Sequence, residues 1–569
     1  MGILPEDFPS AKLNLTTNPQ FTDLTHWRLN VDEGSQIWQY LETEQERQAR
    51  PQSICEKYHL GLPIDVPELE KAKSPLEAAR NGFEFYRRLQ TEDGHWAGEY
   101  GGPMFLLPGL IIAHYVTRTP VHEPTRLEII RYLLNKASKE DGGWGIHIEG
   151  VSTVFGTALN YVTLRILGLG PDHPAMVKAR NTLHRHGGAA AIPAWGKFWL
   201  AVLGVYDWNG VNPIPPELWA LPKFVPLYPG NWWVHCRYVY LSMGYIYGHR
   251  VTAPLTTFTQ SLREELYVQP YDAINWDKQR NNVAEVDLYM PHTKIMDVVN
   301  YALTYYESFA KKFTALRDYG LKEAVEQIRM EDENTYYMGI GPVNKAMNWL
   351  VWYHHSGKDS LEFKLHVERN AHFLWLGAEG MMMNGTDGTQ LWDTAFIAQA
   401  CAEAGLAKNT VYRENMVKIL EFLDMTQVNM MLDAVFLVPH FIYICRSERT
   451  PRIWNAVIVK LQREPGHSVQ NVKDILFLIV QLKVSSHLSS FRPYPKCLRL
   501  SIQNAFLIPL TSYCPCKTVA VDMVAMKRIA PHHFWKLLIL LKYLVILWWS
   551  MITLNVQQPS CMHSVLLSN

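Results

Sequence analysis

The chain has 569 residues with equal numbers of acidic and basic side chains, a net charge of zero, so no basic field marks it for nucleic acid. That balance is a sum of two unequal parts. Residues 1–427 carry a net charge of about −10, whereas the remainder holds only 5 of the 54 acids and 15 of the 54 bases. The same remainder holds one glycine, Gly466, of 34, too few for the turns of an ordinary folded segment.

In chain order, MGILPEDFPS carries charge and proline where a secretion signal would be apolar. Residues 1–73 read as a polar arm and lead-in, with apolar-aromatic anchors at DLTHWRL and Trp38. SPLEAARNGFEFYRRLQ then predicts a helix, with a capping serine, proline in the first turn and an early glutamate. It ends in QTEDGHWAGEYGGP, followed by the apolar MFLLPGLIIAHYV. A second unit runs through IIRYLLNKASKEDGGWGIHIEG into VFGTALNYVTLRILGLG, and a third through LEFKLHVERNAHFLW into GTDGTQLWDTAFIAQACAEAG.

Each unit reads as helix, Gly-x-Trp-type turn, helix, with little strand signal. The expected fold is therefore all-α: an α/α barrel, or toroid, of helical hairpins. Glycine permits a tight bend at a helix end, Trp lies across the neighbouring helix, and Gln can bond exposed backbone. Such turns read as structural clamps rather than chemistry.

Between residues 187 and 249 aromatics crowd together without a membrane-length run. A packed helical core and a surface for a lipid-like substrate both fit this composition. His235, beside Trp232, Trp233 and Cys236, is either a hydrogen-bonded core histidine or a cavity histidine that orients an acid. No histidine belongs to a spaced metal cluster, and Cys514-x-Cys516 lacks a second ligand pair. No phosphate loop, dinucleotide fingerprint or nucleophile elbow occurs.

The blocks GHWAGEYGGPMFLLPGL, DGGWGIHIEG, YPGNWWVHCR, LYVQPYDAINWDKQRNNVAEVDLYMPH, DENTYYMGIGPVNK and GTDGTQLWDTAF resemble 2,3-oxidosqualene cyclases of the lanosterol-synthase type, in register over roughly residues 20–427. The turns correspond to that family's QW repeats, with Ala137 where the second repeat's glutamine is expected. The resemblance implies two α/α barrels: an inserted barrel over 74–364, and a second formed by the arm and everything from 365 onward. It implies monotopic attachment to endoplasmic reticulum or lipid droplets, oxidosqualene as substrate, no cofactor, and no metal or obligate protein partner. The implied chemistry is epoxide protonation and a carbocation cascade to a lanosterol-like sterol or triterpene. Tyr100, Trp233, His235 and Trp375 would line the cavity, with His235 orienting the acid.

The family's proton donor is the aspartate of a D-C-T-A-E motif, and this chain has none. Asp393 belongs to WDTAF and does not replace it. Retranslation with the last base of each codon joined to the first two of the next permits D-C-T-A-E under residues 478–483, within a longer cyclase-like run. Methionine and tryptophan have single codons and so force the outcome: Met526-Lys527 and Trp454-Asn455 give Glu, Met523-Val524 gives Gly, and Trp548-Trp549 gives Val. All four fit that frame. Gln427-Val428-Asn429 can encode a splice donor and Cys445-Arg446 an acceptor, whose joining restores it.

The expectation is a retained intron over 428–445, an out-of-frame tail to 569, an incomplete second barrel and no turnover. On this reading the apolar run 537–554, interrupted by Lys542, is not a membrane span. Three other readings of the chain are weighed: a bacterial-type squalene cyclase, which needs an Asp-rich acid motif that the shifted frame does not supply, a prenyltransferase-like toroid, which requires a zinc site, and a non-catalytic truncated paralogue.

Overall fold

In a computed structural model the described residues are 21–426, apart from 33, 226, 290–292, 311–313 and 386–388. The expectations placed on 428–569, including the frame break, the 537–554 run and the Cys514-x-Cys516 pair, lie outside them.

The described chain is mostly helical. Its helices are α1 (Glu44–Ala49), α2 (Ile54–His59), α3 (Pro75–Tyr86), α4 (Leu106–Val116), α5 (Glu123–Lys136), α6 (Val154–Ile166), α7 (Pro174–Arg185) and α8 (Ala194–Val202). They continue with α9 (Val234–His249), α10 (Thr257–Leu266), α11 (Lys294–Ala310), α12 (Thr314–Asn334), α13 (Pro342–Ser356), α14 (Leu361–Arg369), α15 (Thr389–Glu403) and α16 (Arg413–Met425). Four short strands form two antiparallel hairpins that helical periodicity did not announce. They are β1 (Trp27–Asp32) with β2 (Ser35–Tyr40), and β3 (Leu374–Gly377) with β4 (Gly380–Met383).

Helix starts follow local chemistry. Ser74 caps α3 as expected, its hydroxyl accepting from the Glu77 N–H at 3.2 Å with Pro75 in the first turn. Capping boxes also open α1 (Thr43, Glu46) and α2 (Ser53, Glu56).

The core sits where helices are apolar on every side. All of α6 is buried, and α4 buries every residue except His114. A helix with no polar face is stable only when surrounded, and here α4 packs on α6, α8 and α13 while α9 packs on α12 and α13. Buried polar groups tie these helices together. The Asp332 carboxylate accepts from Trp352 Nε1 at 2.6 Å and Asn348 Nδ2 at 3.0 Å, and lies 3.1 Å from His366 Nε2. Asp332, Asn348, Trp352 and His366 are all fully buried, so each donor depends on this one acceptor.

A second packing unit joins the two ends of the described chain. Trp38 on β2 meets the Trp375 ring on β3 edge-on at 5.5 Å, and Ser35 Oγ lies 2.9 Å from His372 Nδ1. Phe83, Leu89 and Trp96 form a separate cluster with Cys401, Leu406, Tyr412 and Ile419. Phe83, the one buried residue of α3, faces α15 and α16 and not the α4–α13 core.

The β3–β4 turn docks on α5 and links the units. Arg131 donates to the Ala378 carbonyl at 2.6 Å and Asn135 to that of Glu379 at 2.9 Å. Gly380 makes this possible: at φ +123°, a Cβ there would lie 2.5 Å from the Tyr132 amide nitrogen.

Two of the Trp turns share one geometry. Trp96 Nε1 donates to the Tyr86 carbonyl and Trp144 Nε1 to the Leu133 carbonyl, both at 2.8 Å. Each indole satisfies an orphan acceptor near a helix C-terminus while burying its ring. Gln90 bonds the Gly94 carbonyl at 2.9 Å and reaches the Asn415 carbonyl at 3.1 Å. In the other turn Ala137 cannot do this, and Asp141 takes over by accepting from Gly143 N–H and Ser152 Oγ. At the third unit Gln390, Trp392 and Asp393 lie inside α15 instead of in a turn.

Candidate active-site wall

The strip EYGGP, residues 99–103, runs between the two packing units. On one side Ile148 N–H donates to the Gly102 carbonyl at 3.0 Å and Met104 N–H to that of Ile146 at 2.7 Å. On the other, Tyr100 N–H donates to Asn384 Oδ1 at 3.0 Å, and Gly385 N–H returns to the Tyr100 carbonyl at 2.8 Å. The Tyr100 backbone is thus fixed from both units, while its side chain is 52% exposed over Gly385.

The second cluster opens α9. Asn231 braces the preceding loop by donating to the Lys223 and Val225 carbonyls, each at 3.0 Å. Trp232 turns inward, edge-on to Tyr240 at 4.9 Å, whereas Trp233 is 62% exposed. The Trp233 and His235 ring centroids lie 4.5 Å apart at 69°. His235 is half-buried, and burial lowers its pKa, favouring the neutral imidazole. Its Nδ1 lies 3.1 Å from the Tyr238 hydroxyl, a partner that sequence reading missed although the i,i+3 spacing on one helix places the pair on one face.

Trp375 lies apart from this exposed set. It is 1% exposed and packed edge-on between Trp38 and His59, so it sits within the wall's backing and not on its open surface. Three further side chains on α15 are exposed, Leu391, Trp392 and Phe396 at 49, 64 and 67%; Trp392 was read from sequence as part of a clamp turn, and the other two were not singled out. A run of large apolar residues left exposed on a mostly apolar helix was the signal available. Asp393 lies near the same strip, its Oδ2 being 3.8 Å from where a Gly98 Cβ would stand. Burial raises its pKa against the opposing charge of His95.

Chemically, the wall offers ring faces, a neutral imidazole and backbone held at fixed height. Ring faces attract cations electrostatically, and more strongly where water is excluded. Among the described residues no group of three or more His, Cys, Asp and Glu is arranged to hold a metal, and no helix is long and apolar enough to cross a membrane.

A mostly helical core with tryptophan-clamped turns is consistent with the all-α class that the comparisons show. Residues 80–371 match the squalene-hopene cyclase N-terminal domain. The chain belongs to that family, as an oxidosqualene cyclase relative of the lanosterol-synthase type. It is 56% identical over 408 residues to lanosterol synthase of Pneumocystis carinii, covering 72% of this chain and 57% of that protein. It is 51% identical over 407 residues to protostadienol synthase A of Aspergillus fumigatus, covering 72% and 55%. To human lanosterol synthase it is 49% identical over 409 residues, covering 72% and 55%. The chain thus spans a little over half the length of these curated relatives.

Proposed function

We propose that this chain carries the aromatic wall of an oxidosqualene cyclase without its proton donor, and that the 569-residue polypeptide does not turn over. The substrate class is oxidosqualene, and the reaction of the complete enzyme is epoxide protonation followed by carbocation cyclisation to a sterol or triterpene. The observation that carries this reading is the 56% identity over 408 residues to a lanosterol synthase, a length equal to the span 20–427 on which the motifs stay in register.

Tyr100 and Trp233 supply ring faces at the cavity surface and His235 orients the acid. Trp375 holds β3 from behind. The acid belongs to the D-C-T-A-E motif encoded one frame over under residues 478–483, and a retained intron over 428–445 removes it from the protein. The inserted barrel and the second, incomplete barrel divide the chain, with the tail from 428 belonging to neither.

Membrane attachment is monotopic, at endoplasmic reticulum or lipid droplets. It is supported by a stripe on α11, Val298, Tyr301, Tyr305 and Phe309, exposed by 68, 76, 61 and 40%. The test is incubation with (S)-2,3-oxidosqualene and product analysis by gas chromatography and mass spectrometry. The expected result is no product from this chain and product from a version with the reading frame restored. Turnover by the 569-residue chain itself contradicts the reading.

A further inference from the structure

The first turn of α9 holds an arrangement that the cyclase reading does not use. His235 lies between the Trp233 ring, at 4.5 Å, and the Tyr238 ring, at 5.5 Å and 76°. Both neighbours approach edge-on, so the imidazole has one aromatic wall on each side. Its Nδ1 faces the Tyr238 hydroxyl at 3.1 Å. A neutral imidazole has one donor and one acceptor nitrogen, and a phenol can serve either. Which tautomer is present therefore depends on what else the phenol can bond.

The phenol has little choice. Tyr238 is 9% exposed, and a Cβ on Gly341 would stand 3.2 Å from its oxygen, so the Gly341 backbone closes that side. Gly341 is itself pinned: its N–H donates to Asn344 Oδ1 at 2.8 Å, and Asn344 Nδ2 donates to half-buried Glu331. The Ile340 N–H points to the same Glu331 oxygen at 3.4 Å. If the imidazole donated from Nδ1, the buried phenol O–H would need another acceptor. Burial and the nearby Glu331 carboxyl hold the phenol's pKa up, so it keeps its proton and needs an acceptor at every ordinary pH.

We infer that Tyr238 is a positioning residue: its O–H donates to His235 Nδ1 and locks the imidazole as the Nε2–H tautomer, with the Glu331–Asn344–Gly341 loop holding the phenol in place. The remaining nitrogen of His235 is then a donor. It can hold a carboxyl oxygen by hydrogen bond, and it cannot accept a proton there. This deepens the reading of His235 as the group that orients the acid, and rests on that reading for its purpose but not for its geometry.

The test is a two-bond ¹H–¹⁵N correlation spectrum of the full chain labelled at histidine ring nitrogens, with His235 assigned by the His235→Gln variant. The expected result is a protonated Nε2 and a bare Nδ1 at His235. Tyr238→Phe should lose the single tautomer, and Gly341→Ala, which crowds the phenol oxygen, should weaken it. A protonated Nδ1 in the unaltered chain overturns the inference. So does an unchanged tautomer in a Tyr238→Phe protein whose other histidine signals are undisturbed. If Tyr238→Phe does not fold, the spectrum of the unaltered chain decides alone. The cyclase reading fails separately, if replacing His235 leaves oxidosqualene turnover by the frame-restored enzyme unchanged.

Discussion

Helices α6 and α15 are of similar length and both largely apolar, yet every residue of α6 is buried while α15 leaves Leu391, Trp392 and Phe396 open. The difference lies in what surrounds them and not in their composition. Helix α6 has α4, α5, α7 and α8 around it, whereas α15 packs on α16 and the short turn at Leu406–Lys408. Large apolar side chains are kept where something covers them, and among the described residues nothing covers these three on α15. Trp38, Trp375 and Met381 of the β hairpins share the large core with α4–α13, whereas α3, α15 and α16 meet in a smaller cluster of their own.

Removing the hub of the large core should do the most damage. Asp332→Ala leaves the buried Asn348, Trp352 and His366 donors without their acceptor, and should cost about 3–5 kcal/mol in urea unfolding of that unit. A loss under about 1 kcal/mol would mean that the network is not the tie described here.

The two clamps separate the units more finely. Trp144→Phe strands the buried Leu133 carbonyl and should cost about 1–3 kcal/mol in the same transition. Trp96→Phe breaks the equivalent bond to Tyr86, but its ring belongs to the α15–α16 cluster. It should leave the main transition in place; a shift equal to that of Trp144→Phe would show that the two units unfold as one.

The pH dependence adds a third contrast. Burial first, and then the adjacent Asp332 charge, push the Glu331 carboxyl up to about 8 from an ordinary 4.5. Because its folded pKa is raised, folding favours the protonated form. The stability it contributes is full below about 4.5 and is lost as pH rises through about 8. Melting temperature of the large core should therefore fall over that window, and Glu331→Gln should flatten the curve. Asp287, raised by burial to about 7 while capping α6 at the Val154 and Phe155 N–H groups, adds a decline ending at lower pH.

The smallest effect is expected on the open face. Gln in place of Trp392 and Phe396 should change stability by no more than about 0.5 kcal/mol and reduce self-association, measured by light scattering. A large loss of stability would mean that the face is already covered.

The helices, their caps and the clamp turns were legible because local chemistry fixes them. Ser74 with Pro75 and Glu77 opens a helix wherever the chain lies, and an indole after a glycine turn can reach only the helix before it. Which core α3 serves was not legible, because only the position of Phe83 against Tyr412 and Ile419 reveals it. The packing of the two β hairpins on each other was hidden for the same reason, since Trp38 and Trp375 meet across more than 300 residues. Tyr100, Trp233 and His235 were proposed from motif resemblance. Tyr238 and the α15 face needed coordinates, because a hydroxyl's partner and an uncovered ring are facts of packing.

Whether the chain leaves its frame after Gln427 is decided in the message itself. Sequencing mature transcripts across the codons for residues 427–446 is the direct test. The account predicts messages that lack the stretch encoding 428–445 and continue into the D-C-T-A-E frame. Finding that stretch, in the present frame, in every mature message would contradict it.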